Sequence, residues 1–240
     1  MTDIKVTPEG LLHASDHEEA SRIAAELIVG AAKDTFKRRG VFHIGLSVGG
    51  TPKRTYELLA ESAYSDRMPW WATNIYWADE RCVPPDNLES NYRMVFEALL
   101  DKLPLLGEQI HKILCLDEDY DRIAREAEKG LPGQLDVVLL GIGEDGHTAS
   151  LFPGSEALNE MHRKYVVVTG PKPPNPRITI TPLVIESSRR IFVLATGDEK
   201  AKTVESALEG NWDVSRTPAQ LARRGLWILD EASGARLTSR

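Results

Sequence analysis

Asp145 and His147 stand two residues apart in "LLGIGEDGHTASLFPG" (residues 139–154), where an apolar run gives way to three glycines, two acids and a histidine. In such a turn a carboxylate can orient an imidazole through one ring nitrogen and leave the other free to take a proton from water, which is general-base chemistry. A glycine turn carrying one surface histidine has the same composition, so the partners must decide. Arg81 follows Asp79 and Glu80 in "ADERCVPPDNLESNY", a loop stiffened by Pro84 and Pro85. Three charges at a strand's end suit either substrate contact or a solvated, self-neutralising turn.

"SVGGTP" (residues 47–52) offers backbone amides freed at Gly49 and Gly50, the Thr51 hydroxyl and the start of a helix. These suit a small anion, phosphate first, and equally an ordinary strand-to-helix turn. The loop has neither the Walker lysine nor the GxGxxG spacing. Lys172 and Arg177 flank the prolines of "PKPPNPRITITP", and Lys200 enters a helix in "TGDEKAKTV", where a cation opposes the helix dipole unless it meets an anion. His13, His17, His43, His111 and His162 lack a comparable setting and read as packing or surface residues. No set of His, Cys and acids has zinc spacing, so neither a metal nor another cofactor is expected.

These loops need elements to position them. Ser15 with Glu18 forms a capping box before Ala20, Ile23, Ala24, Leu27, Ile28 and Ala31, which recur at helical spacing. "VFHIGL" (41–46) reads as a strand, followed by a helix with Pro52 at its first position and Thr51 as cap. "NIYWA" (74–78), "KILCL" (112–116), "DVVLLGIG", "KYVVVTG", "RITITP", "IFVLATG" and "GLWILD" read as further strands, with helices near 92–100 and 119–129 and one opened by Asp198. Strands alternating with helices predict a three-layer α/β fold, a mostly parallel sheet with helices on both faces. In that arrangement the loops after "VFHIGL", "NIYWA" and "DVVLL" leave the sheet at one carboxyl edge, where open α/β sheets bind ligands.

With 240 residues and 42% hydrophobic content, the chain has enough material for a sizeable core, and one domain over residues 1–240 is expected. A net charge of −7 argues against a general nucleic-acid surface, which needs clustered Lys and Arg. The first sixteen residues lack the apolar segment of a secretory signal, and no run approaches the roughly 20 apolar residues of a membrane helix. A cytoplasmic protein is expected, without membrane or nucleic-acid partners, as a monomer or weak homodimer. The two cysteines, Cys82 and Cys115, have no CxxC partner and read as free thiols of a reducing compartment.

"WADERCVPPDNLESNY", "LLGIGEDGHTASLFPG" and "PNPRITITP", in that order, closely resemble the 6-phosphogluconolactonases, and the resemblance runs from about residue 15 to 230. It implies the sugar-phosphate isomerase-like, Rossmann-type α/β fold shared with glucosamine-6-phosphate deaminases. It also implies metal-free hydrolysis of 6-phospho-D-glucono-1,5-lactone to 6-phosphogluconate in the oxidative pentose phosphate pathway. By position, His147 is then the base that activates water, Asp145 its orienter and Arg81 a cation near the lactone carbonyl. Gly49, Gly50, Thr51, Arg177 and Lys200 match phosphate-binding positions, with Asp79 a further substrate contact. Two departures stand out. The first loop resembles the family's "SGGSTP" except that Val48 and Gly50 replace a glycine and a serine, which removes one hydroxyl. Where the deaminase pattern continues "DGHIAFNEP", Phe152 replaces the glutamate that helps open an amino-sugar ring. A deaminase or isomerase of an amino-sugar phosphate and a non-catalytic sugar-phosphate sensor are the alternatives that share the fold.

Overall fold

The computed structural model describes Thr7 and residues 10–238. Most of the N-terminal stretch read as lacking a leader, residues 1–6, 8 and 9, lies outside the described residues. The strands are β1 (Leu11–Ala14), β2 (Phe42–Leu46), β3 (Thr73–Trp77), β4 (Asp79–Arg81), β5 (Ile110–His111), β6 (Val137–Leu140), β7 (Tyr165–Val168), β8 (Arg177–Ile180), β9 (Ile191–Ala195) and β10 (Leu226–Asp230). The helices are α1 (His17–Arg39), α2 (Gly50–Ala60), α3 (Ser62–Ser65), α4 (Asn91–Ala98), α5 (Tyr120–Gly130), α6 (Pro182–Ser187) and α7 (Ala201–Leu208), with short 3₁₀ turns between.

Seven strands form one parallel sheet in the order β1-β10-β9-β6-β2-β3-β5. The central strands are apolar on both faces, with Val137, Val138, Leu139 and Leu140 of β6 all buried, because helices cover both sides. From β2 the chain moves outward through β3 to β5, and from β6 it moves the other way through β9 to β10. The direction of winding therefore reverses between β2 and β6, and the crevice beyond their carboxyl ends is the topological switch point.

The remaining three strands form a separate antiparallel sheet, β4-β8-β7. "KYVVVTG" and "RITITP", read from the sequence as strands with no sheet assigned to them, belong here. They fold back on each other as a hairpin and pair with the charged triplet Asp79–Arg81, so that Arg81 sits opposite Arg177. "KILCL" is not a strand. β5 ends at His111, because its partner β3 pairs through Tyr76 and the chain leaves the sheet after Trp77.

Two caps differ by a residue or more from expectation. The N-cap of α1 is Asp16, whose Oδ1 accepts from the Glu19 N–H at 2.8 Å while the Glu19 carboxylate accepts from the Ser15 N–H at 2.7 Å. The cap is thus shifted one residue along from Ser15, and the expected capping box is not formed, because Glu19 reaches the N–H before the cap and not that of Asp16 itself. Helix α2 begins at Gly50 with Gly49 as N-cap, two residues before Pro52. Gly49 has φ +155°, which lets the chain turn into a helix directly after β2, and Pro52 falls in the first turn, where a missing N–H costs nothing.

The two cysteines are not free: Cys82 and Cys115 form a disulfide, with Cα atoms 5.0 Å apart. They are 33 residues apart in sequence, and only the return of the chain after β5 brings them together. Among the described residues no helix is long and apolar enough to cross a membrane.

Candidate active site

At the switch point a cavity of about 210 Å³ is lined by the loop after β2 (Ser47 to Pro52), by Asp79 and Arg81 of β4, by Gly141, Ile142, Gly143, His147 and Ala149 after β6, and by Arg177 and Lys200. His147, Arg81, Asp79, Gly49, Gly50, Thr51, Arg177 and Lys200 all line it, and Asp145 stands behind His147. His43 and His111 are elsewhere, packed around Tyr76, and His17 bonds Thr196, so the structure agrees that they serve packing. Lys172 is exposed and contributes only its carbonyl, which accepts from Arg177 Nη2 at 3.0 Å.

The turn after β6 is built around its histidine. His147 Nδ1 lies 2.5 Å from Asp145 Oδ1, and the same oxygen accepts the His147 backbone N–H at 3.1 Å. The turn closes through Gly143 N–H to the His147 carbonyl at 2.8 Å, and Gly146 takes φ +92°. Burial pushes the Asp145 carboxyl up, but the His147 N–H and the imidazole charge outweigh it and hold Asp145 below the usual carboxylate range. With Asp145 ionised, Nδ1 carries the proton and Nε2 is left as the acceptor. The ring is backed by Phe152, whose centroid is 4.9 Å away. Phe152 also lies under the Arg177 guanidinium, 5.4 Å from its centroid.

Cations converge from three directions. Arg177 is 9% exposed and is fixed by the carbonyls of Pro174 and Lys172. Burial pushes its guanidinium down, and the facing Arg81 charge pushes it further, against the opposing pull of Asp79. Arg81 reaches the Glu89 carbonyl at 2.8 Å, and its Nε is buried without a hydrogen-bond partner among the described residues. Lys200 ends the 3₁₀ turn before α7, four ångströms (4.0 Å) from Glu144. Gly197, at the head of that turn, is anchored by its N–H to the Asp230 carboxylate at 3.0 Å. Opposite them, the first turn of α2 has neither an acidic residue nor a side-chain cap, so its N–H groups remain available to an anion.

Two acids that the sequence left undecided separate here. Asp79 lines the cavity and is 5% exposed, held by the Ser150 hydroxyl at 2.6 Å and the Asn91 amide at 3.3 Å. Glu80 points away and accepts the backbone N–H groups of Arg81, Asn91 and Tyr92, capping α4. Sequence reasoning missed Ser150, Asn91 and Asp230. Ser150 lies inside the "DGHTAS" run, but its partner is 71 residues away. Among the described residues no three His, Cys, Asp or Glu side chains group as metal ligands.

A parallel, doubly wound sheet with a cation-rich crevice at its switch point places the molecule in the class of α/β proteins that hold ligands beyond the carboxyl ends of their strands. Residues 15–228 match the family described as glucosamine-6-phosphate isomerases/6-phosphogluconolactonase, and the chain belongs to that family. A 6-phosphogluconolactonase of Nostoc sp. is 37% identical over 226 residues, covering 89% of this chain and 92% of the relative. The solved 6-phosphogluconolactonase of Trypanosoma brucei is 30% identical with a TM-score of 0.82, covering 98% of this chain and all of the other (100%). A monomeric glucosamine-6-phosphate deaminase superposes with the same TM-score, 0.82, at 24% identity over 94% of this chain and 98% of its own, a likeness of fold alone.

Proposed function

We propose that the chain is a 6-phosphogluconolactonase that hydrolyses 6-phospho-D-glucono-1,5-lactone to 6-phosphogluconate. The observation that carries this reading is the convergence on one cavity of the His147–Asp145 pair with Arg81, Arg177 and Lys200. Belonging to the family and the likeness to 6-phosphogluconolactonases over nearly the whole chain support the substrate.

In this reading Arg177, Lys200 and the amides of Gly49, Gly50 and Thr51 hold the phosphate, which fixes the far end of the sugar against the base. His147 Nε2 takes a proton from water as the oxygen attacks the lactone carbonyl carbon. Arg81 faces the negative charge that develops on the carbonyl oxygen. The tetrahedral intermediate collapses by breaking the bond between the carbonyl carbon and the ring oxygen, and the imidazolium returns its proton to that oxygen. Asp145 stabilises the imidazolium between the two transfers. Asp79, pinned by Ser150 and Asn91, sets a carboxylate beside the two arginines and offsets their mutual repulsion. No step requires a metal, and histidine catalysis of about 10²–10⁴-fold suits a lactone that also opens unaided.

Phe152 supports the lactonase over the amino-sugar reading, since an aromatic ring packed on His147 stands where the deaminase pattern has its glutamate. The test is base uptake by purified protein on the phosphorylated lactone, measured against the spontaneous rate, with ammonia release from glucosamine 6-phosphate as the comparison. Lactone opening above background without ammonia is expected. Ammonia release, or binding without turnover, would replace this reading with the deaminase or the sensor.

A further inference from the structure

The chain has only two cysteines, and the fold brings them together beside the cavity. Their Cα separation of 5.0 Å falls within the range that a disulfide spans. Cys82 directly follows Arg81, and its N–H donates to the Pro176 carbonyl at 2.9 Å, immediately before Arg177. That hydrogen bond ties together the ends of the two strands that carry the arginines of the cavity. Cys115 lies in the irregular segment between β5 and α5, and that segment also touches α4, the helix that follows the Cys82 loop, where Lys112 sits over the Tyr92 ring at 4.6 Å. Both cysteines are partly exposed, so a thiol reagent can reach them. Outside this crosslink, the Arg81 side chain is held, among the described residues, by the carbonyl and carboxylate of Glu89, the latter at 3.7 Å in a mostly exposed pair, a weak tether.

We propose that Cys82 and Cys115 form a reversible disulfide that holds the Arg81 loop in its binding position, so that their thiol state sets ligand affinity at the cavity. The reduction balances with a small dithiol. Its thiolate attacks one cysteine sulfur, the Cys82–Cys115 bond breaks and a mixed disulfide forms. The second thiolate then closes the reductant to a disulfide and releases the other cysteine, leaving two protein thiols for two electrons and two protons. Reduction removes the covalent tether at Cys82, and the Arg81 loop is then held by the backbone pairing with β8 and the Glu89 contacts alone. The bridge itself stands on geometry, whereas its effect on affinity rests on the proposed lactonase site.

The experiment equilibrates the wild-type chain with oxidised or with reduced dithiothreitol, removes the reagent, counts thiols after denaturation and measures 6-phosphogluconate binding by calorimetry. Expected are no thiols and tighter binding after oxidation, and two thiols with Kd raised about threefold to tenfold after reduction, the size of one weakened hydrogen bond. Cys82→Ser and Cys115→Ser should each bind like the reduced wild type after either treatment. Two thiols in the oxidised sample overturn the bridge. Equal binding in both states, or binding in neither, overturns its effect. Lactone turnover recorded on the same samples tests the proposed activity separately, because the thiol count does not depend on it.

Discussion

Gly143 lies directly beneath the His147 ring: a Cβ at Gly143 would fall 2.1 Å from His147 Nδ1 and 2.7 Å from Asp145 Oδ1. No side chain fits there without moving the pair. Gly143→Ala should therefore fold and still bind 6-phosphogluconate, yet lose about 10²-fold in kcat, the cost of a base displaced by roughly an ångström. Stopped-flow or titrimetric turnover beside calorimetry separates the two effects. Wild-type kcat in this variant would mean that the ring position is unimportant.

The missing hydroxyl of the phosphate loop can be restored. Gly50 does not occupy the left-handed region, and a Cβ there meets nothing within 4 Å. Gly50→Ser should be tolerated and should tighten 6-phosphogluconate binding by about 0.5–1.5 kcal/mol, one added neutral hydrogen bond. Gly49→Ser is the contrast, since φ is +155° at that position and a side chain there is strained. It should lower the melting temperature, and equal behaviour of the two variants would contradict the assigned backbone.

Arg177 should read the phosphate and little else. Arg177→Ala should lower kcat/KM on the phosphorylated lactone by about tenfold to hundredfold, matching the roughly 1.5–3 kcal/mol of a charged hydrogen bond. Hydrolysis of unphosphorylated gluconolactone should hardly change. An unchanged ratio between the two substrates would remove Arg177 from the phosphate site.

Glu80 ties stability to pH. Burial pushes its carboxyl up, the N–H groups of Asn91, Tyr92 and Arg81 pull it down and the Asp79 charge pushes it up again, leaving it at about 7 against an ordinary 4.5. Because the folded value is the higher one, its contribution to stability is fully present below about pH 4.5 and is lost as pH rises through about 7. Glu80→Gln cannot titrate. The wild-type advantage over this variant in denaturant unfolding should shrink between those two pH values, and an advantage that grows there would show that the three N–H donors outweigh burial.

How much could be read from the sequence depended on the range of each interaction. The Asp145–His147 bond spans two residues, so the spacing marked it as one of two readings and the structure forms it. The alternation of strands and helices fixed the parallel sheet, because burial on both faces writes continuous apolar runs such as "DVVLL". Strand-like composition could not say which sheet "YVVV" and "RITI" join. Their antiparallel pairing with Asp79–Arg81 depends on where a distant loop returns, and that pairing sets Arg81 against Arg177. The Ser150–Asp79 bond and the meeting of Cys82 with Cys115 are non-local in the same way, and neither leaves a periodic trace in the chain. Residues 112–116 were strand-like by composition, but among the described residues no strand pairs with them once β3 leaves the sheet.

The central claim is that His147 Nε2 removes a proton from water at a site whose phosphate grip is separate from it. The most direct measurement is His147→Ala assayed for lactone opening above the spontaneous rate, with 6-phosphogluconate binding measured on the same preparation. The account predicts a folded protein with near wild-type affinity and a kcat lower by about 10²-fold or more. Wild-type turnover in His147→Ala would contradict it and leave Asp79, the other carboxylate or imidazole group lining the cavity, as the group to test next.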